Sequence, residues 1–196
     1  ALHFLGHHVY IISGGLAEPV QQFGLFLGVP KQNIRAVNVA YDRLAGQWWQ
    51  VSGNGHSPRQ ARYLDYEEGA LTVSDGKAHI VQELLGTQNG RSLLIGDGSS
   101  DLLAGHQVDL FVGFGGVVER ERVRREAPVF LHSPSLAPLL LLAAGPAAVR
   151  TVKGTPHEAV FQKAFTLTNT GAISFNHERL NQKFQQAYQT VHPRPD

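Results

Sequence analysis

"SLLIGDGSSDL", residues 92–102, decides the fold class of this chain. An apolar run from Leu93 to Ile95 stops at Gly96-Asp97-Gly98, and a helical pattern opens at Ser99. The run reads as a strand. It delivers Asp97 at its C-terminal end between two glycines, and Asp101 follows one helical turn later. Gly96 and Gly98 let the backbone turn sharply and approach a ligand. Ser99 or Ser100 is placed to cap the helix. Two carboxylates on one rim are hard oxygen donors of the kind Mg²⁺ prefers. A plain Gly-rich turn with Asp101 steadying a helix start is the competing reading. The compound of strand, Asp between glycines and a second acid favours a site.

Upstream, "SDGKAHI" (74–80) places Lys77 in the first turn of a helix whose apolar face is Ile80, Val81, Leu84 and Leu85. A lysine there is poorly matched to the positive end of the helix dipole. An acidic neighbour or a bound anion such as phosphate would offset the mismatch. Further upstream, "VYIISGGLAEPV" (9–20) carries a β-branched run, Val9 to Ile12, expected to be a strand buried on both faces and to end at Ser13-Gly14-Gly15. A hydroxyl and two nearly bare amides at a strand's C-terminal end suit an anion. The helix expected next, "AEPVQQFGLFLG", has Val20, Phe23 and Leu27 on one face and Gly28 as its stop.

The alternation continues downstream. "DLFVGFGG" (109–116) is a strand and turn, and "VVERERVRREA" (117–127) is a solvated helix with Glu121 four residues before Arg125. "PVFLH" (128–132) is a strand, and "SLAPLLLL" (135–142) a closing core helix. Strands alternating with helices predict an α/β fold, a doubly wound parallel sheet with right-handed crossovers. Residues 37–66 are aromatic and turn-rich and read as a small β-excursion or loop region, with Trp48 and Trp49 as packing aromatics. From residue 150 the rhythm breaks. The expected division is a core over 1–149 and a mostly helical extension over 150–196, including a helix with a Leu180, Phe184, Tyr188 and Val191 stripe and Asn176 as a possible cap.

Composition narrows the function classes. With 42% hydrophobic and 17% charged residues in 196, most of the chain should fold. A formal net charge of +1 argues against nucleic-acid binding by bulk electrostatics. No cysteine is present, which excludes disulfides and thiolate metal sites. The apolar stretch 135–149 is short for a membrane span and broken by Pro138, Gly145 and Pro146. Ala1 to Tyr10 has no basic start and no cleavage pattern, so a signal peptide is not expected and the expected location is cytoplasmic. The opening "ALHFLGHH" reads as the tail of an amphipathic helix already under way, so the chain is expected to be the C-terminal part of a longer polypeptide. His3, His7 and His8 share a helix face but have no acidic partner nearby, which argues against a metal site. In "LFVGFGGVVE", Gly113, Gly115 and Gly116 follow a strand, but a Gly-x-Gly-x-x-Gly fingerprint fails because Val118 stands where its third glycine belongs.

The order "SGG", Lys77, "GDGSSD" resembles the haloacid dehalogenase superfamily of phosphatases. Within it the match is closest to the phosphoserine phosphatase family. "VYIISGG" resembles that family's second motif, "DGKAHIVQELL" its third and "LLIGDGSSDLLAG" its fourth. "DLFVGFGGVVERERV" and "FLHSPSLAPLLLL" resemble the stretches that follow, so the likeness covers about residues 1–142. The resemblance implies a HAD-like, Rossmannoid core. It implies Mg²⁺-dependent hydrolysis of a phosphomonoester, phosphoserine first, through an aspartyl-phosphate, and a place in serine biosynthesis. Carried onto this chain, it implies that Ser13, Gly14 and Gly15 hold phosphate oxygens, that Lys77 stabilises the transferring group, and that Asp97 is a Mg²⁺ ligand. Asp101 orients Lys77 or a metal-bound water, and Ser100 contacts substrate where the family usually has threonine or asparagine.

One departure from the family pattern is large. Its first motif, Asp-x-Asp-x-Thr/Ser, supplies the nucleophile on the central strand and occurs nowhere in the 196 residues. Asp42 stands alone, and Asp65, Glu67 and Glu68 have the wrong spacing. The expectation is that the nucleophile, its strand and the main cap lie upstream of Ala1, that this chain alone is inactive, and that it needs the missing segment or a partner. Two alternatives stay open: another small-molecule phosphatase of the superfamily, and a noncatalytic domain that binds phosphate or a partner.

Overall fold

The computed structural model describes residues 1–40, 65–66, 71, 75–86 and 89–191. Trp48, Trp49, Asp42, Glu67 and Glu68 lie outside them. The chain divides into two compact units, one of Tyr10–Gly76 and one of Ala1–Val9 with Lys77–Asp196.

In the Tyr10–Gly76 unit, β1 (Ile11–Leu16) leads directly into α1 (Ala17–Phe26), and β2 (Ile34–Val37) pairs with β1 in parallel. The strand does not stop at Ile12 as expected. It runs on through Ser13, Gly14 and Gly15, and the register jumps there: Ile12 faces Arg35 and Leu16 faces Val37. The extra residues form a bulge. Nor is the strand buried on both faces. Ile11 and Ile12 are half-buried and Gly14 to Leu16 exposed, since among the described residues β1 pairs with β2 alone and α1 packs on that pair. The buried face of α1 also differs from the expected stripe. Phe23 and Leu27 are exposed, and Gly24 is buried instead. A Cβ on Gly24 would stand 3.0 Å from Ile11 Cδ1 and closer still to Ile34. The bare backbone is what lets the helix lie on the strands. Gly28 (φ +81°) ends the helix, and Val29 donates its N–H to the Gly24 carbonyl at 2.9 Å. The residues 37–66 keep one described β feature, an antiparallel pair of β3 (Val39–Ala40) and β4 (Asp65–Tyr66).

The second unit carries the alternation read from the sequence. It runs α2 (Gly76–Leu85), β5 (Leu93–Gly96), α3 (Ser99–Ala104), β6 (Leu110–Phe114), α4 (Glu121–Glu126), β7 (Val129–Leu131) and α5 (Leu139–Ala143). Then follow α6 (Val149–Val152), α7 (Glu158–Asn169), β8 (Ile173–Phe175) and α8 (Glu178–Gln189). The sheet order is β5-β6-β7-β8, parallel through β7, with β8 antiparallel at the edge. Alternate residues of the strands serve two layers. Phe111 and Phe130 pack with Leu102 of α3 and Val123 of α4 on one face. Val112, Val129 and Leu131 pack with Leu139 of α5 on the other. Helices on both faces of a mostly parallel sheet make the fold a Rossmannoid α/β fold. Gly113 allows this density, since a Cβ there would lie 2.6 Å from Phe130 Cδ2.

Residues 150–191 share this unit and complete its sheet with β8. Asn176 is not the cap of α8. The N-cap is His177, and Asn176 instead donates its Nδ2 to the carbonyls of Arg124 (2.6 Å), Arg125 (3.3 Å) and Ala127 (2.9 Å). It satisfies carbonyls left free at the end of α4. On α4 the helix-spaced ion pair joins Arg122 to Glu126 at 3.3 Å rather than Glu121 to Arg125. At the chain start, the Leu5 N–H donates to the Ala1 and Leu2 carbonyls and the Gly6 N–H to the His3 carbonyl, each at 3.0 Å, in a hydrogen-bonded turn. Gly6 (φ +81°) ends it, and Leu2 and Leu5 rest against the α5–α8 core.

Ahead of β5 and β6, Ser92 donates its N–H (2.8 Å) and its hydroxyl (3.0 Å) to Asp109 Oδ2. The Ser92 N–H first, then its hydroxyl, hold the Asp109 carboxyl below the usual value. The folded form therefore binds this proton less well than the unfolded form. Asp109 adds stability above the unfolded carboxyl value of about 3.9 and loses it as pH falls through the lower folded value. Urea unfolding of Asp109→Asn should show a shallower loss of stability below about pH 4 than the parent chain. Parallel acid limbs would show that the staple contributes nothing.

Candidate functional site

The loop after β5 is built around Asp101. Its Oδ1 accepts from Lys77 Nζ at 2.6 Å and its Oδ2 from the Gly98 N–H at 3.0 Å. The N-cap of α3 is Gly98, not Ser99 or Ser100, and a glycine has no side chain to cap with. The third helical residue reaches back instead, which is the acid's half of a capping box. Gly96 makes the room. A Cβ at that position would fall on the Cβ and Cγ of Asp101, and 2.6 Å from its Oδ2. Asp101 is buried, and the side chains of Lys77 and Asp101 are 20% and 11% exposed. The pair therefore works at reduced dielectric, where it is stronger than on the surface. Lys77 lies in the first turn of α2 as expected, and the acid that offsets the dipole mismatch is Asp101.

Asp97 directly follows β5, half-exposed on the same loop. Its Oδ2 lies 3.6 Å from Arg120 Nε. Arg120 escaped the sequence reading, where it was one of many charges on a solvated helix. It stands just before α4, in the loop after β6. Neighbouring parallel strands bring their C-terminal loops together, and that topological signal could have found it. The Ser100 hydroxyl lies beside Gly98, 3.8 Å from where a Cβ would stand. The structure thus brings Lys77, Asp97, Ser100 and Asp101 to one loop.

Ser13, Gly14 and Gly15 belong to the other unit. There the Ser13 hydroxyl accepts the Gly15 N–H at 3.0 Å across the bulge. One of the two amides expected to meet an anion is already used locally, and the hydroxyl keeps its own proton to donate.

A Mg²⁺ ion takes six oxygens, with one or two carboxylates among waters and phosphate oxygens. The described residues do not complete such a site. Asp97 is a hard donor in the right place, but a guanidinium already stands beside it, and both Asp101 oxygens are engaged. Among the described residues no group of three or more His, Asp or Glu side chains converges as a metal site. No helix among them is long and apolar enough to cross a membrane.

Known proteins resemble this chain in sequence. The chain is 32% identical over 123 residues to a chloroplastic phosphoserine phosphatase of Arabidopsis thaliana, a match that covers 61% of this chain and 36% of the relative. It is 31% identical over 128 residues to the phosphoserine phosphatase of Drosophila melanogaster (64% and 42%) and over 125 residues to that of Homo sapiens (63% and 48%). The chain is related to the phosphoserine phosphatases, within the haloacid dehalogenase-like superfamily. It spans less than half the length of these phosphoserine phosphatases. No protein-family model matches it. A phosphoserine phosphohydrolase-like protein from Francisella tularensis shares the fold, with a TM-score of 0.51 and 24% identity over 72% of this chain and 58% of that one.

Proposed function

We propose that this chain forms the phosphate-holding part of a phosphomonoesterase acting on a small phosphate ester, with phosphoserine the first candidate. The observation that supports this most is the clamp on Lys77. A buried carboxylate fixes the ammonium at the C-terminal rim of a parallel sheet, where ligands of such folds bind. A positioned point charge of this kind stabilises a transferring phosphoryl group. Asp101 holds the ammonium and the glycine loop. The Ser13 hydroxyl and the Gly14 amide donate to phosphate oxygens, and Ser100 borders the substrate. Asp97 offers one carboxylate to Mg²⁺, whose other ligands are not among the described residues. The attacking aspartate of the proposed aspartyl-phosphate route is not in this sequence, which contains no Asp-x-Asp-x-Thr/Ser stretch. A second reading is a domain that binds phosphate without hydrolysing it.

Phosphate release from phosphoserine and from a panel of other small phosphomonoesters separates these readings. The comparison is between the 196-residue chain and the complete polypeptide encoded by its gene, with and without Mg²⁺. Hydrolysis by the complete polypeptide, with phosphoserine preferred and the shorter chain silent, is the expected result. A complete polypeptide that releases phosphate from no ester in the panel would overturn the enzymatic reading and leave the binding domain.

A further inference from the structure

A second constellation stands at the opposite edge of the same sheet. The Ser174 hydroxyl on β8 lies 2.8 Å from His132 Nε2. His132 Nδ1 lies 3.7 Å from Glu119 Oε2, and the other Glu119 oxygen lies 3.4 Å from Arg124 Nε. The order is hydroxyl, imidazole, carboxylate, guanidinium. None of these residues takes part in the Lys77–Asp101 clamp.

The placement is firm. His132 directly follows β7, and its backbone N–H donates to the Ala172 carbonyl at 2.8 Å, just ahead of β8. Its ring meets Phe130 edge-on at a centroid distance of 4.9 Å. Ser174 is in register with Phe130, so Ser174 and His132 are diagonal neighbours on one face. Gly115 leaves space for the Phe130 ring under the imidazole, since a Cβ there would lie 2.7 Å from Phe130 Cε1 and Cζ. A carboxylate facing Nδ1 favours the proton on that nitrogen, which leaves Nε2 free to accept from the serine. The imidazole is 35% exposed, so a small molecule can reach it.

We propose that Ser174 is a nucleophile activated by His132 and oriented through Glu119, and that it transfers acyl groups from small activated esters to water. The Ser174 oxygen adds to the ester carbonyl carbon while its proton passes to His132 Nε2. The tetrahedral species collapses, the bond to the leaving alkoxide breaks, and that oxygen takes the proton from Nε2. Water then adds to the acyl-serine by the same route, with His132 accepting its proton. The carboxylic acid departs, and the proton returns to the Ser174 oxygen. The net change is ester plus water to acid plus alcohol. General-base assistance supplies about 10²–10⁴-fold, enough for activated esters and too little for amides.

The test treats the 196-residue chain with a fluorophosphonate probe, locates the label by peptide mass spectrometry, and follows p-nitrophenyl acetate hydrolysis. Label on Ser174 is expected, together with a labelling rate at least about tenfold lower in His132→Gln and an intermediate loss in Glu119→Gln. Ser174→Ala should abolish both label and hydrolysis. Because the chain has no cysteine, Ser174→Cys introduces a sole thiol. Iodoacetamide at pH 6.5 should alkylate it about tenfold faster than the same thiol in a His132→Gln background, since an adjacent imidazolium favours thiolate. This variant retains the strand and serves if the alanine variant does not fold. No label on Ser174 in folded protein, or equal labelling and alkylation rates with and without His132, would reduce the trio to a staple holding β8 on β7.

Discussion

Replacing Asp101 by alanine is expected to lower the folding free energy by about 2–4 kcal/mol. Three losses coincide in that change. Lys77 keeps its ammonium in a largely enclosed position without its counter-charge at 2.6 Å. The Gly98 N–H loses the acceptor that began α3. The space over Gly96 that the Asp101 carboxylate fills becomes a void. Asp101→Asn retains an acceptor for Gly98 and most of the volume but not the charge, so its cost should be about half. A double-mutant cycle isolates the ion pair. Lys77→Met and Asp101→Asn, separately and combined, should show a coupling of about 1–3 kcal/mol by urea unfolding. Coupling within a few tenths of a kcal/mol of zero would mean that the clamp is a surface pair, worth little. Lys77 would then be free to wander, and the proposed phosphate site would lose its fixed charge.

The parts of this architecture that the sequence announces are those set by local pattern. β5, β6 and β7 are short apolar runs bounded by turn residues such as Ser92, Asp109, Gly115 and Pro128, as parallel strands covered by helices are expected to be. α8 shows its apolar stripe at helical spacing, and Phe184 and Tyr188 are indeed buried. The Lys77 mismatch with its helix dipole announces a compensating anion, although only the fold tells that Asp101 supplies it. The parts that stayed hidden depend on partners far away in the chain. β8 is a three-residue strand that starts two residues after Gly171 and pairs with β7. Asn176 looks like a helix cap by position and serves a different helix about 50 residues earlier, which no local rule encodes. The continuation of β1 through Ser13-Gly14-Gly15 defied the usual reading of paired glycines as an end signal. Gly24 in α1 was masked by the aromatic residues around it, which look more like a core than a glycine does.

Phe161→Ala should be among the most damaging side-chain truncations, at about 3–5 kcal/mol. The ring is fully buried in a cluster with Leu140 and Leu141 of α5, Val152 of α6, Ala164 and Phe165 of α7, and Phe184 and Tyr188 of α8. Most of these residues follow position 149, so the sheet's second layer is made largely by the stretch that reads as an extension. Its loss should therefore be felt across the unit, not only in its own helix. Hydrogen exchange makes the distinction, since amides of a cooperative core exchange only through global opening. In Phe161→Ala the protection of Val112 on β6 and Leu131 on β7 should fall by the full cost measured in urea. Retained protection at those strands, with loss confined to α7 and α8, would show that residues 150–191 fold as an appendage. A domain of this size is stable by only about 5–15 kcal/mol, so a loss of this order removes much of the margin. A truncation before α6 would remove Phe161 together with β8 and Asn176, leaving β7 with an open edge and the end of α4 without its side-chain donor. The C-terminal stretch is thus part of the scaffold that holds the Asp97–Asp101 loop, and function and folding in this chain are expected to fail together when it is damaged.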